Sequence, residues 1–361
     1  MSMTPGAPID WAKAACDAVM AAYTPEELPP AGKWHYHQGV FLTGAVQVWE
    51  RTGDVRYFDY TKRYVDHLVD ELGNVVVAKG ELDAIQAGLL LFTLEDATGD
   101  SRYREAARKL RALFETFNRT REGGFWHKDH YPYQMWLDGL YMGGVFAARY
   151  AARYGEPELV DMALHQERLM RRGTLRPDGL LVHAWDESRR APWADPATGM
   201  APEVWGRALG WYGVALAEIR AALPEGHPAR EDLAAKLGAL AEALVRYQDA
   251  GSGLWHQVVD KGDRPDNWLE LSCSSLYVYS IAEAVRAGAA DPALLEAARR
   301  GFAGITARVE WDAERRLVLP DICIGTGVGD YAHYIARPVS RNDLHGVGTF
   351  VWACMAMDRV D

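Results

Sequence analysis

The chain is short of positive charge. It sets 39 Lys and Arg against 50 Asp and Glu, a formal net charge of −11 over 361 residues. A surface of that sign repels phosphate backbones and anionic headgroups, which argues against a nucleic-acid or membrane partner. A small anionic ligand would therefore need a local basic site. Cysteine is scarce too: Cys16, Cys273, Cys323 and Cys354 are scattered, with no CxxC pair. That excludes a disulfide scaffold and predicts reduced, buried thiols in a reducing compartment. No apolar run reaches the length of a membrane span. The opening MSMTPGAPIDWAKAA lacks a basic segment followed by an apolar one, so it does not read as a signal peptide, and a cytoplasmic location is expected.

Several catalytic signatures are missing as well. There is no HExxH, no Cys/His set at zinc spacing and no GxSxG elbow, so serine hydrolase chemistry has no support. His35-x-His37 and His127-Lys-Asp-His130 offer ligand types, but spacing names no third ligand. Neither a metal nor a cofactor is expected. GTGVGD at Gly325 lacks the third glycine of GxGxxG and opens no helix, so it reads as a tight turn rather than a phosphate loop.

What the chain has in plenty is aromatic surface: 13 Trp, 17 Tyr and 11 His. Such wealth suits sugar binding, where ring faces meet C–H faces. Helical periodicity dominates and alternates between two kinds. Charged, amphipathic helices are predicted at 10–23, 55–72, 101–118, 157–171, 229–248 and 292–308. Apolar helices rich in Gly, Ala and aromatics are predicted at 36–51, 83–97, 136–154, 203–223, 270–288 and 345–357. Six pairs at a roughly regular spacing signal a repeat architecture. Amphipathic helices belong outside and all-round apolar ones inside. A closed all-α (α/α)6 barrel satisfies both, whereas an open solenoid would half expose the apolar set. No linker splits the chain, so residues 1–361 read as one catalytic domain with short strands in its long loops.

The stretch WLDGLYMGGVFAARYAARY organises the rest. It places one acid, Asp138, at the mouth of a helix apolar nearly all round. A helix N-cap would explain that acid taken alone. The other apolar helices, however, also carry polar residues at their starts: His35 and His37, Asp83, Trp205 and Arg207, Ser272, Ser274 and Ser275, and His345. The segments that lead into these starts are long, and long ordered loops usually carry function. Three of them look like a turn and a short strand ending in a histidine (His127, His183, His256). A shared site at one end of the barrel is the reading. Asp83 and Asp138 begin neighbouring inner helices and could flank a glycosidic bond. For Asp138 to act as an acid, desolvation by Trp136 and Tyr141 and the charge of Asp83 must oppose the helix terminus, which favours the ionised form.

The motifs ELDAIQAG around Asp83, HKDHYPYQMWLDGLYMG around Asp138, GLLVHAWDES around His183 and PEVWGRALGWY around Arg207 resemble glycoside hydrolase family 105, as does the closing SRNDLHGVGTFVWA. This is the family of unsaturated rhamnogalacturonyl and glucuronyl hydrolases, and the resemblance runs from Trp34 to the end. It implies the same barrel and a short, anionic oligosaccharide substrate that ends in a 4,5-unsaturated uronic acid. It further implies hydration of the vinyl ether, with Asp138 as general acid and base and Asp83 as its partner. His183, Trp205, Arg207 and Trp211 match the family's substrate-binding positions. Physical fit adds Arg207 as a bidentate partner for the uronate, stacking faces on Trp205 and Trp211, and positive character from His127 and Lys128. Trp136 and His345 complete the expected substrate-binding set; His35 and His37 receive no role. A sugar epimerase working through His183 with His256 or His345, an inverting glycosidase, and a non-catalytic sugar-binding protein are the competing readings. The sugar next to the uronate and the oligomeric state are not fixed by the sequence.

Overall fold

A repeated TGD motif builds the turns from inner to outer helices. In this computed structural model, which describes residues 5–77 and 80–360, Gly53 (φ 73°) and Gly99 (φ 69°) end α2 (Tyr36–Thr52) and α4 (Leu89–Thr98) in left-handed backbone. Asp54 and Asp100 then accept the N–H groups of Arg56 (3.1 Å) and Arg102 (2.9 Å), which starts α3 (Val55–Leu68) and α5 (Ser101–Ala112). Residues 1–4 of the stretch read for a leader lie outside the described residues.

The two predicted kinds of helix separate into two shells. The inner shell is α2, α4, α6 (Leu137–Gly139, Leu140–Val145 and Phe146–Tyr154 in continuous succession), α8 (Gly206–Ala222), α10 (Leu271–Arg286) and α13 (Leu344–Asp358). Each inner helix packs on the next, and α13 closes the ring on α2. The outer shell is α1 (Pro8–Ala22), α3, α5, α7 (Pro157–Thr174), α9 (Ala229–Arg246) and α11 (Leu295–Arg308), with a short α12 (Tyr331–Ile335) in the last long loop. This is the (α/α)6 barrel. Closure depends on near contact of backbones: a Cβ on Gly348 of α13 would stand 2.7 Å from the Phe41 nitrogen of α2. No helix among the described residues is long and apolar enough to cross a membrane.

Two inner helices depart from the expected regular form, both at the acids. The start of the second is a pair of 3-10 turns, Leu82–Ala84 and Gln86–Gly88, before regular helix begins at Leu89. In α6 the segment Leu140–Val145 is π-helical. Such widened turns occur often at functional sites. The strands are also sparser than expected. Turns close as single bridges, Arg119 to Phe125 and Leu175 to Leu181, and regular pairing among the described residues is confined to three two-stranded ladders. One matters for the site: β1 (Gln134–Trp136) runs antiparallel to β2 (Ala184–Asp186), with Trp136 opposite Ala184.

The two ends of the barrel differ in kind. At the C-terminal ends of the inner helices, acids meet cations or hydroxyls from the neighbouring helix. Arg51 joins Asp358 at 2.7 Å, Arg359 joins Glu283 at 2.9 Å and Arg153 joins Glu95 at 2.9 Å; Glu218 binds both Arg149 and the Tyr279 hydroxyl. At the N-terminal ends the long loops gather around a cavity.

Candidate active site

The cavity encloses about 380 Å³ and draws its walls from the starts of α2, α6 and α8, the 3-10 turn at Asp83, the 127–136 segment and the 325–337 loop. Asp83 and Asp138 both line it. Their surroundings are unequal.

Asp83 is held by cations. A bridge between Glu81 and Lys128 brings the lysine across, so that its Nζ lies 2.7 Å from Asp83 Oδ2 and 3.0 Å from Glu81 Oε2. His127 Nε2 stands 3.5 Å from Asp83 Oδ1. Burial alone would raise the Asp83 pKa, but His127 and Lys128 outweigh it and hold the group below the carboxylate range.

Asp138 sits in the first turn of α6. The β1–β2 ladder continues as Leu137 N–H donates to the His183 carbonyl at 3.0 Å, and this sets the His183 ring beside the acid. His183 Nε2 is 3.3 Å from Asp138 Oδ2, while its Nδ1 is 2.6 Å from the Tyr334 hydroxyl. Burial opposes the charged carboxylate here too, yet the His183 ring beside it, with His127 nearby, outweighs burial, and the Asp138 pKa lies below its ordinary value. The push toward protonation expected from Asp83 does not operate, because Lys128 neutralises that charge. Burial lowers the pKa values of His183 and His127 themselves, so both rings are neutral near pH 7.

Of the other predicted residues, His127, Lys128, Trp136, Trp205 and Arg207 line the cavity. Trp136 stacks on His127 (centroids 4.4 Å) and on Tyr131 (4.7 Å). Arg207 lies over the Trp205 ring at 4.4 Å, and its fork is engaged by the protein. Its two terminal nitrogens donate to the carbonyls of Cys323 (2.6 Å) and Ile324 (2.7 Å), so the guanidinium holds the last long loop against the barrel.

Three predicted residues do not line the cavity. Trp211 lies a turn deeper, stacked on Tyr141 at 4.8 Å, where helical pitch carries it into the core. His183 reaches the site only through Asp138. His345 is fully buried, with Nε2 3.1 Å from the Cys323 carbonyl. His256 stays outside as well, so neither histidine pair of the epimerase reading faces the cavity. Ser274 and Ser275 donate to carbonyls of their own helix, and Ser272 donates to Glu270.

Sequence reasoning missed Tyr36, His130, Tyr131, Met142, Thr326 and Arg337, all of which line the wall. The GTGVGD turn was a usable signal for Thr326 and its flanking glycines; Arg337, which donates to Gly325 O at 2.7 Å, had none. Beside the cavity, and sharing Tyr131, Trp136 and Gly327 with it, lies an open depression of about 620 Å³ floored by Pro192, Trp193, Val328 and His333. The two longest loops thus meet at one shelf.

The family model described as Glycosyl Hydrolase Family 88 matches residues 11–360. A family 105 glycoside hydrolase of C. acetobutylicum ATCC 824 is 35% identical in sequence and superposes with a TM-score of 0.92, covering 96% of this chain and 99% of that one. The unsaturated rhamnogalacturonyl hydrolase YesR of Bacillus subtilis (strain 168) is 28% identical over 253 residues, 67% of this chain and 68% of that protein. The unsaturated glucuronyl hydrolase of Bacillus sp. GL1 shares the fold at 16% identity, with a TM-score of 0.75 over 98% of this chain and 96% of that one.

Proposed function

The chain belongs to glycosyl hydrolase family 88, and we propose that it releases a 4,5-unsaturated uronic acid from the non-reducing end of a short oligosaccharide, an unsaturated rhamnogalacturonan disaccharide first among substrates. The likeness to YesR supports that substrate. The observation that carries the reading is the inequality of the two acids. Lys128 pins Asp83 at 2.7 Å as a permanent carboxylate, whereas Asp138 has only a neutral histidine at 3.3 Å. A pair of interchangeable carboxylates flanking a glycosidic oxygen is not what such surroundings favour. One proton-transfer group with a fixed anionic neighbour is.

In this reading Asp138 takes up a proton as the substrate's own carboxylate enters, because a second negative charge in a closed cavity raises its pKa. It delivers that proton to C4 of the vinyl ether. The Asp138 carboxylate so formed is held by His183 and then accepts a proton from the water that attacks C5. The resulting hemiketal opens, giving a 5-keto-4-deoxyuronate and the shortened sugar. Asp83 accepts a hydrogen bond from a sugar hydroxyl and keeps Lys128 in place. The uronate is met by the combined field of Lys128, Arg207 and Arg337 rather than by a free guanidinium fork. Trp136 and Trp205 present ring edges and faces to the sugar, and the shelf at Pro192 and Trp193 receives the next residue. Four unpaired, buried cysteines support a reducing, cytoplasmic setting.

The test follows the ultraviolet absorbance of the conjugated uronate in an unsaturated rhamnogalacturonan disaccharide. Loss with the wild type and none with Asp138→Asn is expected. Absorbance that persists over a panel of unsaturated disaccharides would refute the hydrolase reading and leave sugar binding without turnover.

A further inference from the structure

Spacing supplied His35-x-His37 with no third ligand, but folding does. The turn before α13 brings Asp343 and His345 against the start of α2, and the ligand-type atoms of His37, Asp343 and His345 all lie within 4.8 Å of one another. His37 Nε2 is 3.6 Å from Asp343 Oδ1, and His345 Nδ1 is 2.7 Å from the same oxygen.

The hydrogen bonds around this cluster favour one tautomer of each ring. His35 Nδ1 accepts the backbone N–H of His37 at 3.5 Å, so in its 2.8 Å contact with His37 Nδ1 it is again the acceptor. The proton of His37 is therefore on Nδ1, and Nε2 is bare. On the other side, His345 Nε2 meets the Cys323 carbonyl at 3.1 Å. A carbonyl only accepts, so that nitrogen carries the proton and Nδ1 is bare. His345 is fully buried, and Asp343 is what its Nδ1 meets, at 2.7 Å. Two imidazole nitrogens and a carboxylate oxygen thus gather, and such a group is costly unless a proton or a metal ion sits among them. The neighbouring Arg207 adds positive field at Asp343, but its terminal nitrogens donate to Cys323 and Ile324.

We propose that His37 Nε2, Asp343 and His345 Nδ1 form a binding site for a divalent transition-metal ion of the zinc class. Two imidazoles and one carboxylate, with the far ring nitrogens held by outer hydrogen bonds, are the donor set such ions take. Ligand atoms around a tetrahedral zinc stand about 3.3 Å apart, so the widest of the observed spacings must close by up to about 1.5 Å on binding. His37 lines the substrate cavity, so the site adjoins it. On the hydrolase reading the ion adds positive charge where an anionic sugar enters, but its binding does not depend on that reading.

The test uses chelator-stripped protein without substrate, titrated with zinc chloride by calorimetry and with cobalt chloride by visible absorption. One ion per chain is expected, with ligand-field bands for cobalt. Asp343→Asn and His37→Gln should each weaken binding at least tenfold, and His35→Phe about tenfold through loss of tautomer control. Failure of the wild type to bind near one equivalent would overturn the proposal. So would equal affinity in the Asp343→Asn and His37→Gln variants, or a doubly protonated His345 in the nitrogen NMR spectrum of the zinc-titrated protein.

Discussion

The two ends of the barrel use the same residue types to opposite effect. At the closed end, Glu95 is only 6% exposed and is met by Arg104, Arg153 and Tyr154. At the mouth, Asp138 is 9% exposed, and its Oδ2 has no hydrogen-bond partner, nor do His127 Nδ1 or His183 Nε2. Buried polar atoms left without partners cost stability. The fold leaves that cost beside the acid at one rim and meets the acids with cations and hydroxyls at the other. Charge that joins helices is separated in space from charge that awaits a ligand.

That division is broken most directly at Asp138. Replacing Asp138 by Asn should lower turnover by about 1,000-fold, near the middle of what general acid–base groups contribute, while the melting temperature at neutral pH falls only modestly, by the stabilisation its depressed carboxylate supplies. The absorbance assay and a thermal melt check the pair of outcomes. The mirror experiment is Glu95→Gln, which should cost about 2 kcal/mol of stability by removing charge-assisted hydrogen bonds, with kcat unchanged. Urea unfolding and steady-state kinetics measure both.

Acid should separate the ends as well. His127 and His183 have folded pKa values below their unfolded ones, so below about pH 6.5 the unfolded chain takes up protons first and stability falls. Asp83 and Asp138 are depressed too; their stabilisation is complete above about pH 4 and is lost as pH falls through the folded values. Melting temperature followed from pH 7 to pH 3 should therefore drop in two stages, and Asp138→Asn should flatten the second. The smallest expected effect is at the shelf: Trp193→Ala should raise KM about fivefold, in the range of one lost ring contact, with kcat unchanged. A KM that does not move would place the next sugar elsewhere.

The helical shells were legible because a period of 3.6 and all-round apolarity are local properties, and the TGD turns announce themselves through Gly and Asp. The positions of Asp83, Asp138, His127 and Trp136 at the mouth were also legible, since each stands at or just before an inner-helix start. What escaped depends on contacts between distant segments. Arg207 looked like a free fork because nothing local says that the carbonyls of Cys323 and Ile324, more than a hundred residues later, fold onto it. Trp211 matched a motif but falls one helical turn too deep. Asp343 carried no signal until α13 closed against α2.

The π-helical turn at Leu140–Val145 has a consequence for how Asp138 came to face the cavity. A π turn holds one residue more than the α turn it replaces. Removing a single residue from that segment would restore α-helix, and everything ahead of it would rotate by about 100° about the helix axis. The acid's bearing is therefore set by phase: one surplus residue, in the segment that begins two residues after Asp138, decides which way a common aspartate faces.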